Sequence, residues 1–367
     1  NIKLDNENIN VEDNKSIIEL FGDKLKGNNH IIACDINNEI KTLNYIPKEN
    51  DNVSFVDVTS RDGRRTYIRG LLFIMSMAFN ECYPEAFLSV NYQLTNAMYC
   101  EVDNLKVTRE MIENVSKKMK EIVSKKLDIK KVEMSKEEAI KFYEKENSLR
   151  GILQLDNEQK KGVSLYFCEG YYNYFYGVMP INTEYINVFE IVPYNDGILL
   201  RYPDKSNPNA LEAGVASKKM IAILDEYKDI HRVLDVNTIY KLNKQIREGK
   251  SAELVLLAEA LHEKKISDIA DNVVKRKNVK VILIAGPSSS GKTTFAKRLG
   301  IQLRLNGLKP VTISVDDYFV ERKDTPLDKN GKYNFECIEA IDLKLFNDNL
   351  TTLLNGGEIL WQTFDLK

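Results

Sequence analysis

Residues 281–294 read VILIAGPSSSGKTT, and the reading of the rest of the chain turns on that stretch. Val281, Ile282, Leu283, Ile284 and Ala285 form a short apolar run that predicts a buried strand. Gly286 ends the run. After four intervening residues come Gly291, Lys292 and Thr293, with a helix-like segment (Phe295, Ala296, Lys297, Arg298, Leu299) behind them. Strand, glycine-bounded loop and helix in this order, with GxxxxGK followed by Thr, is the spacing of a loop that cradles phosphates.

The chemistry accounts for the spacing. A polyphosphate presents several closely spaced negative charges, so backbone N–H groups must converge on it, and glycine lets the backbone come close and take positive φ. The helix that follows aims its positive end at the same anion. On this reading Gly286, Pro287, Ser288, Ser289, Ser290, Gly291, Lys292, Thr293 and Thr294 line the phosphates of ATP. Lys292 reaches the β and γ phosphates, and the Thr293 hydroxyl ligates Mg²⁺. An accidental match somewhere in a chain with 18 glycines is on the order of one in a hundred. A glycine-rich turn between strand and helix that binds nothing is the competing reading.

Working outward, the helix after the loop should run from Lys292 to about Asn306, closed by Gly307. Pro310 precedes a β-branched run, Val311 to Val315, that predicts a second strand, so a βαβ unit with a parallel sheet and a right-handed crossover is expected. Asp316, Asp317 and Tyr318 follow that strand. In a parallel sheet the C-terminal strand ends share one edge, which would turn these carboxylates toward the phosphates. A kinase needs a carboxylate there to deprotonate the acceptor hydroxyl or help hold Mg²⁺, whereas an Asx turn or helix cap is the structural alternative. Tyr333 to Glu336 then leads into a helix expected from about Ile338 to Leu354. Glu336 either faces the acceptor or simply starts that helix.

At 367 residues with 43% hydrophobic content, the chain has room for two or three domains with real cores. A net charge of −2 gives no global field toward nucleic acid or an anionic membrane. The five cysteines, Cys34, Cys82, Cys100, Cys168 and Cys337, are scattered with no CxxC pair, which argues against a disulfide framework or zinc ribbon and suits a reducing cytoplasm. The longest apolar run, Leu71 to Phe79, is about half of what spans a bilayer. The first residue is Asn1 rather than Met, and no charged-then-apolar leader opens the chain. A soluble, cytoplasmic protein with no membrane association is expected.

Residues 1–60 read as a small α+β unit, with strand-like His30 to Cys34 and Val53 to Val58 around a helix at Ser16 to Leu25 and turns at Gly27 to Asn29 and Lys48 to Asn52. Tyr67 to Asn80 has helix length, Ala86 to Tyr92 and Ala97 to Val102 read as strands, and Thr108 to Lys125 repeats apolar residues at helical period. Ser135 with Glu138 is a capping box opening a helix to about Asn147. Strands resume at Gly162 to Cys168, Asn187 to Val192 and Gly197 to Arg201. The aromatic run Tyr171 to Tyr176 reads as packing of a sheet face, since no basic residue interleaves with it. Residues 213–276 read as consecutive helices.

With GPSSSGKTT, ISVDDYF (313–319) and YNFECIEAIDL (333–343) in hand, the last ninety residues resemble the uridine kinase and phosphoribulokinase family of P-loop kinases. The resemblance implies an ATP- and Mg²⁺-dependent phosphotransferase acting on a hydroxyl of a nucleoside (uridine-like) or related sugar. It implies Asp316, with Asp317 adjacent, as base, and Glu336 at the family's acidic position against the acceptor, with Asp317 and Tyr318 also on the substrate side. Tyr67 to Val102 and Leu165 to Tyr172 (LYFCEGYY) resemble the N-terminal portion of threonyl-tRNA synthetase. Residues 1–60 would then be a TGS-like β-grasp domain and 61–225 an editing-like domain. A helical linker at 226–277 and a P-loop kinase domain at 278–367, N-terminal part only, complete an α/β and α+β multidomain chain.

Two departures qualify the resemblance. The editing domain's HxxxH and CxxxH pairs fall on Gly70 and Ile74 and on Cys168 and Tyr172, so three of four ligand positions are lost, and a single thiol cannot build a zinc site. The domain is therefore expected to bind or scaffold rather than edit. Little chain follows Thr293 for the further strands, lid and arginines of such a kinase, so the chain is expected to be a fragment that binds nucleotide weakly and catalyses poorly or not at all. Two other functions compete. One is a nucleotide-responsive RNA-binding regulator whose front half grips tRNA-like RNA, disfavoured by the neutral charge. The other is an ATPase with no acceptor.

Overall fold

The computed structural model describes residues 1–4, 7–25, 30–145, 148–156, 162–212, 218–287 and 289–360. The chain is a mixed α/β molecule that divides into two compact units, residues 1–249 and 250–367. Ten α-helices and three sheets occur among the described residues.

The first unit opens with β1 (Ile2–Leu4), β2 (Glu7–Ile9), α1 (Ile17–Leu25), β3 (Ile31–Ile36), β4 (Glu39–Lys41) and β5 (Asn52–Asp57). They form one sheet in the order β2-β1-β5-β3-β4, in which only β1 and β5 run parallel. The i, i+4, i+8 set Ile17, Phe21 and Leu25 buries the inner face of α1. The tight β3–β4 turn uses Asn37 and Asn38, both at positive φ (54° and 67°), the residue type that tolerates this conformation in a two-residue hairpin.

A long helix α2 (Arg61–Cys82) follows, capped by the Ser60 side chain, which accepts from the Gly63 amide. Its second half is buried nearly all round, from Leu71 to Phe79, which explains why the helix shows a continuous apolar run rather than a stripe. Gly70 lets α2 come close to a neighbouring segment: a Cβ there would stand 2.7 Å from the Pro180 Cγ. Next come β6 (Leu88–Leu94), β7 (Ala97–Val102), α3 (Arg109–Ser124), β8 (Lys130–Ser135), α4 (Lys136–Lys145), α5 (Leu149–Asp156), β9 (Gly162–Cys168), β10 (Tyr171–Tyr174), β11 (Glu190–Tyr194) and β12 (Gly197–Arg201). A four-stranded antiparallel sheet runs β11-β12-β7-β6 and a three-stranded one β10-β9-β8.

Both local signals in this region are realised. Met111, Ile112, Val115, Met119 and Ile122 of α3 are buried. The Ser135–Glu138 box closes reciprocally, with the Glu138 amide donating to Ser135 Oγ (3.1 Å) and the Ser135 amide donating to Glu138 Oε2 (2.9 Å). The aromatic run packs as expected: the Phe73 ring meets Tyr171 edge-on at 5.4 Å and Phe175 at 6.1 Å. The unit ends in α6 (Lys218–Val233) and α7 (Ile239–Arg247). The expected turn at Gly27 to Asn29 and the start of the helical stretch at 213–217 lie outside the described residues.

The second unit holds α8 (Ser251–Lys275), α9 (Lys292–Leu305) and α10 (Leu343–Leu354). Its core is small: Ile266 and Ala270 of α8 pack with Leu299 and Leu303 of α9, joined by Val273, Ile284 and Phe295. Two expectations are corrected here. Among the described residues Val281–Ala285 and Val311–Val315 form no paired strand; Val315 already belongs to a 3₁₀ turn, and Leu283 and Val311 are 85% and 63% exposed. Apolar β-branched residues favour a pleated, half-buried surface, but strand formation also needs a neighbour to accept the backbone hydrogen bonds. No strand lies among the described residues of this unit. The helix expected from Ile338 also starts later. Residues Ile338–Ala340 make one 3₁₀ turn, and α10 begins after Asp342, whose side chain accepts from the Leu345 amide at 2.9 Å. That cap sets the start.

Candidate functional site

The loop before α9 carries the candidate chemistry. Ser289 and Gly291 both take left-handed backbone, with φ of 58° and 86°. Gly291 stands at the N-cap position without any side-chain cap, and the Phe295 amide donates to its carbonyl at 2.9 Å to open the helix. The backbone amides of the first turn are thus left for a ligand or solvent at the positive end of α9. Gly286 faces the inside of the bend: a Cβ there would sit 2.8 Å from Ser290 Oγ. Ser290 closes the turn by donating its amide to the Pro287 carbonyl at 3.2 Å.

Lys292 is folded over this loop. Its ammonium donates to the carbonyls of Gly286 and Pro287, both at 2.9 Å. The loop therefore brings together a cation, uncapped amides and two left-handed bends, a donor set suited to an anion such as a phosphate group. Thr293 and Thr294 are exposed beside it. Ser288 lies outside the described residues.

Beneath the loop, α9 is seated on α8 by a polar ladder as well as by the core. Arg298 Nε donates to Glu263 Oε2 at 2.9 Å, with Nη2 on the same oxygen, and Gln302 Nε2 donates to Glu263 Oε1 at 2.7 Å. Farther along, Asn306 Nδ2 donates to Asp271 Oδ1 at 2.8 Å. Glu263–Arg298 and Asp271–Asn306 keep the same sequence offset, so the two helices run in the same direction, and the segment through Val281–Ala285 carries the chain back between them. The hydrogen bond from Gln302, then that from Arg298, holds the Glu263 carboxyl below its ordinary range.

Asp316 and Asp317 lie in a 3₁₀ turn, Val315–Tyr318, rather than at the end of a paired strand. Asp316 is exposed, and among the described residues no hydrogen bond or ion pair joins it to the loop. Tyr318 is buried: its ring meets Phe346 of α10 edge-on at 5.1 Å and its hydroxyl accepts from Asn349 at 3.2 Å. Its visible work is to pack this turn on α10. Glu336 is exposed and follows an Asx turn in which its own amide donates to Asn334 Oδ1 at 3.1 Å, so it does not start a helix.

In the first unit, Ile74 and Cys168 are completely buried and Tyr172 packs on Phe142 and Phe167 at 4.5 and 4.7 Å. Burial first, and then Glu169 nearby, pushes the Cys168 thiol up to about 11, which keeps it protonated. No cluster of three metal-ligating side chains occurs among the described residues.

Sequence reasoning missed two features of this unit. A cavity of about 150 Å³ is lined by Arg64, Tyr67, Tyr202 and Asp204, among others. Glu101 is a buried carboxylate on β7 that accepts from Tyr99 Oη (2.8 Å), Asn91 Nδ2 (2.6 Å), and Lys228 and Arg232 of α6 (3.0 and 2.5 Å). The only sequence signal for Glu101 was a charge at an inward position of an apolar strand. Among the described residues no helix is long and apolar enough to cross a membrane.

No protein-family model matches the chain. Its N-terminal region is similar to threonine–tRNA ligases. The protein of Clostridium tetani is 32% identical over 112 residues, 30% of this chain and 18% of the ligase. A probable cytoplasmic threonine–tRNA ligase of Enterocytozoon bieneusi is 24% identical over 178 residues, 48% of this chain and 28% of the ligase. A uridine kinase of Mycoplasma genitalium is 36% identical over 85 residues, 23% of this chain and 39% of the kinase. The chain thus spans well under half the length of each of these relatives.

Proposed function

We propose that the chain belongs to an ATP-dependent kinase that phosphorylates a hydroxyl of a nucleoside or related sugar. The carrying observation is the loop: Gly291 in left-handed backbone, an uncapped α9, and Lys292 folded over the Gly286 and Pro287 carbonyls. The similarity to a uridine kinase over 85 residues supports the same reading. The loop amides and Lys292 hold the phosphates of ATP, and the Thr293 hydroxyl ligates Mg²⁺. When bound, that ion neutralises charge on the β and γ phosphate oxygens. Asp316, exposed and next to Asp317, is the base toward the acceptor hydroxyl. Asp317, Tyr318 and Glu336 stand on the acceptor side.

Residues 1–60 are read as a TGS-like β-grasp domain, in line with their five-stranded sheet and single helix. Residues 61–225 are read as an editing-like domain that has lost its chemistry, in line with the apolar filling around Ile74 and Cys168. The kinase domain is read from 278 onward, behind a helical linker at 226–277.

Replacing Lys292 with Ala in the full-length protein is expected to cut phosphoryl transfer to nucleosides by at least about a hundredfold, with the helical circular dichroism unchanged. Activity retained in that variant rejects the assignment. A second reading, a nucleotide-responsive regulator that grips tRNA-like RNA, draws on the similarity to threonine–tRNA ligases. Salt-dependent tRNA binding by the protein would favour it, and no binding would remove it.

A further inference from the structure

We infer that Glu263 is a positioning residue for the nucleotide loop, acting through Arg298 and Gln302, and that α8 is the seat on which the loop's helix is registered. This rests on the kinase reading for what the loop binds.

Several observations converge. The segments before and after α9 form no paired strand, so α9 has no sheet beside it among the described residues. What holds it is α8: Ile266 and Ala270 bury against Leu299 and Leu303 of α9, and the polar ladder adds to them. Apolar contacts between two helices resist separation but tolerate small rotation and sliding, whereas directional charge-assisted hydrogen bonds from two side chains to one carboxylate fix both. Glu263 takes both Arg298 nitrogens on one oxygen and Gln302 on the other. One carboxylate is therefore tied to two positions a turn apart on α9. Arg298 lies under two turns below Lys292, since a helix rises about 1.5 Å per residue, so a rotation of α9 on α8 moves the first-turn amides and the lysine together. Their convergence on a phosphate group depends on that setting.

The pair is partly exposed, so its contribution to global stability is small, which leaves register as its specific effect. His262 Nδ1 also lies 3.4 Å from Arg298 Nη1, so every variant is compared in one buffer at one pH.

The test uses the full chain and a fluorescent N-methylanthraniloyl ATP with Mg²⁺, titrated into wild type, Glu263→Ala, Arg298→Glu and the charge-swapped double variant Glu263→Arg with Arg298→Glu. Affinity is expected to fall about 3- to 10-fold in each single variant. The swapped pair should recover most of the loss. Unchanged affinity in Glu263→Ala overturns the inference, and so does a double variant no better than the singles. The swap decides the matter even where a single variant unfolds. A wild type that binds no nucleotide sinks the kinase reading, and the inference with it; a wild type that binds, beside an indifferent Glu263→Ala, sinks the inference alone.

Discussion

Gly291 shows how much local geometry one residue can set. Its φ of 86° is open to glycine without strain, whereas an L residue there costs roughly 1 kcal/mol or more. Gly291→Ala has no neighbour to strike, since nothing lies within 4 Å of the added Cβ, so its effect isolates the backbone. A fall of about 1 kcal/mol in the stability of the second unit is expected by denaturant titration, together with weaker ATP binding. Unchanged values on both counts would mean that the left-handed bend is not required. At this scale the sequence was most legible. The glycines, Lys292 and Thr293 declared the loop because backbone chirality and phosphate chemistry act on single residues. For Tyr318 the resemblance implied a place on the substrate side, while its packing on Phe346 is visible only once α10 is in place.

At the scale of elements, what could be read locally was read and what depends on distant partners was not. The helical period of α3 and the capping box of α4 are written within a dozen residues each, and both formed. Val281–Ala285 and Val311–Val315 have strand composition, but pairing is a property of two segments, and neither found a ladder. The docking of α6 is a further non-local case. This helix buries no residue of its own and is held to β7 through Glu101, whose side chain is only 6% exposed.

Burial alone would raise the Glu101 carboxyl; the bonds from Lys228, Tyr99 and Asn91 outweigh it and hold the group below its ordinary value of 4.5. A depressed carboxyl contributes stability that is present above its unfolded value and lost as pH falls through the folded one. Urea titrations at pH 7 and pH 3 should therefore show wild type ahead of Glu101→Gln by about 1–3 kcal/mol at pH 7, with the gap narrowing at pH 3. A gap that stays constant with pH would mean that the carboxylate charge is not what holds α6.

For the molecule as a whole, two compact units stand in one chain, and the chain is similar to threonine–tRNA ligases in its N-terminal region and, over 85 residues, to a uridine kinase. The multidomain α/β character followed from length, apolar content and the alternation of patterns. The point of division did not, because α8 reads as a linker in sequence and becomes part of the second unit only by packing its Ile266 and Ala270 against α9.

The central claim is that the backbone from Gly286 to Thr294 wraps the tail of a nucleoside triphosphate. Amide hydrogen exchange with and without ATP and Mg²⁺ tests it most directly. Slower exchange at Gly291, Lys292, Thr293 and Thr294 on adding nucleotide is expected, with the effect abolished in Lys292→Ala. Exchange across this stretch that stays the same at saturating ATP would contradict it.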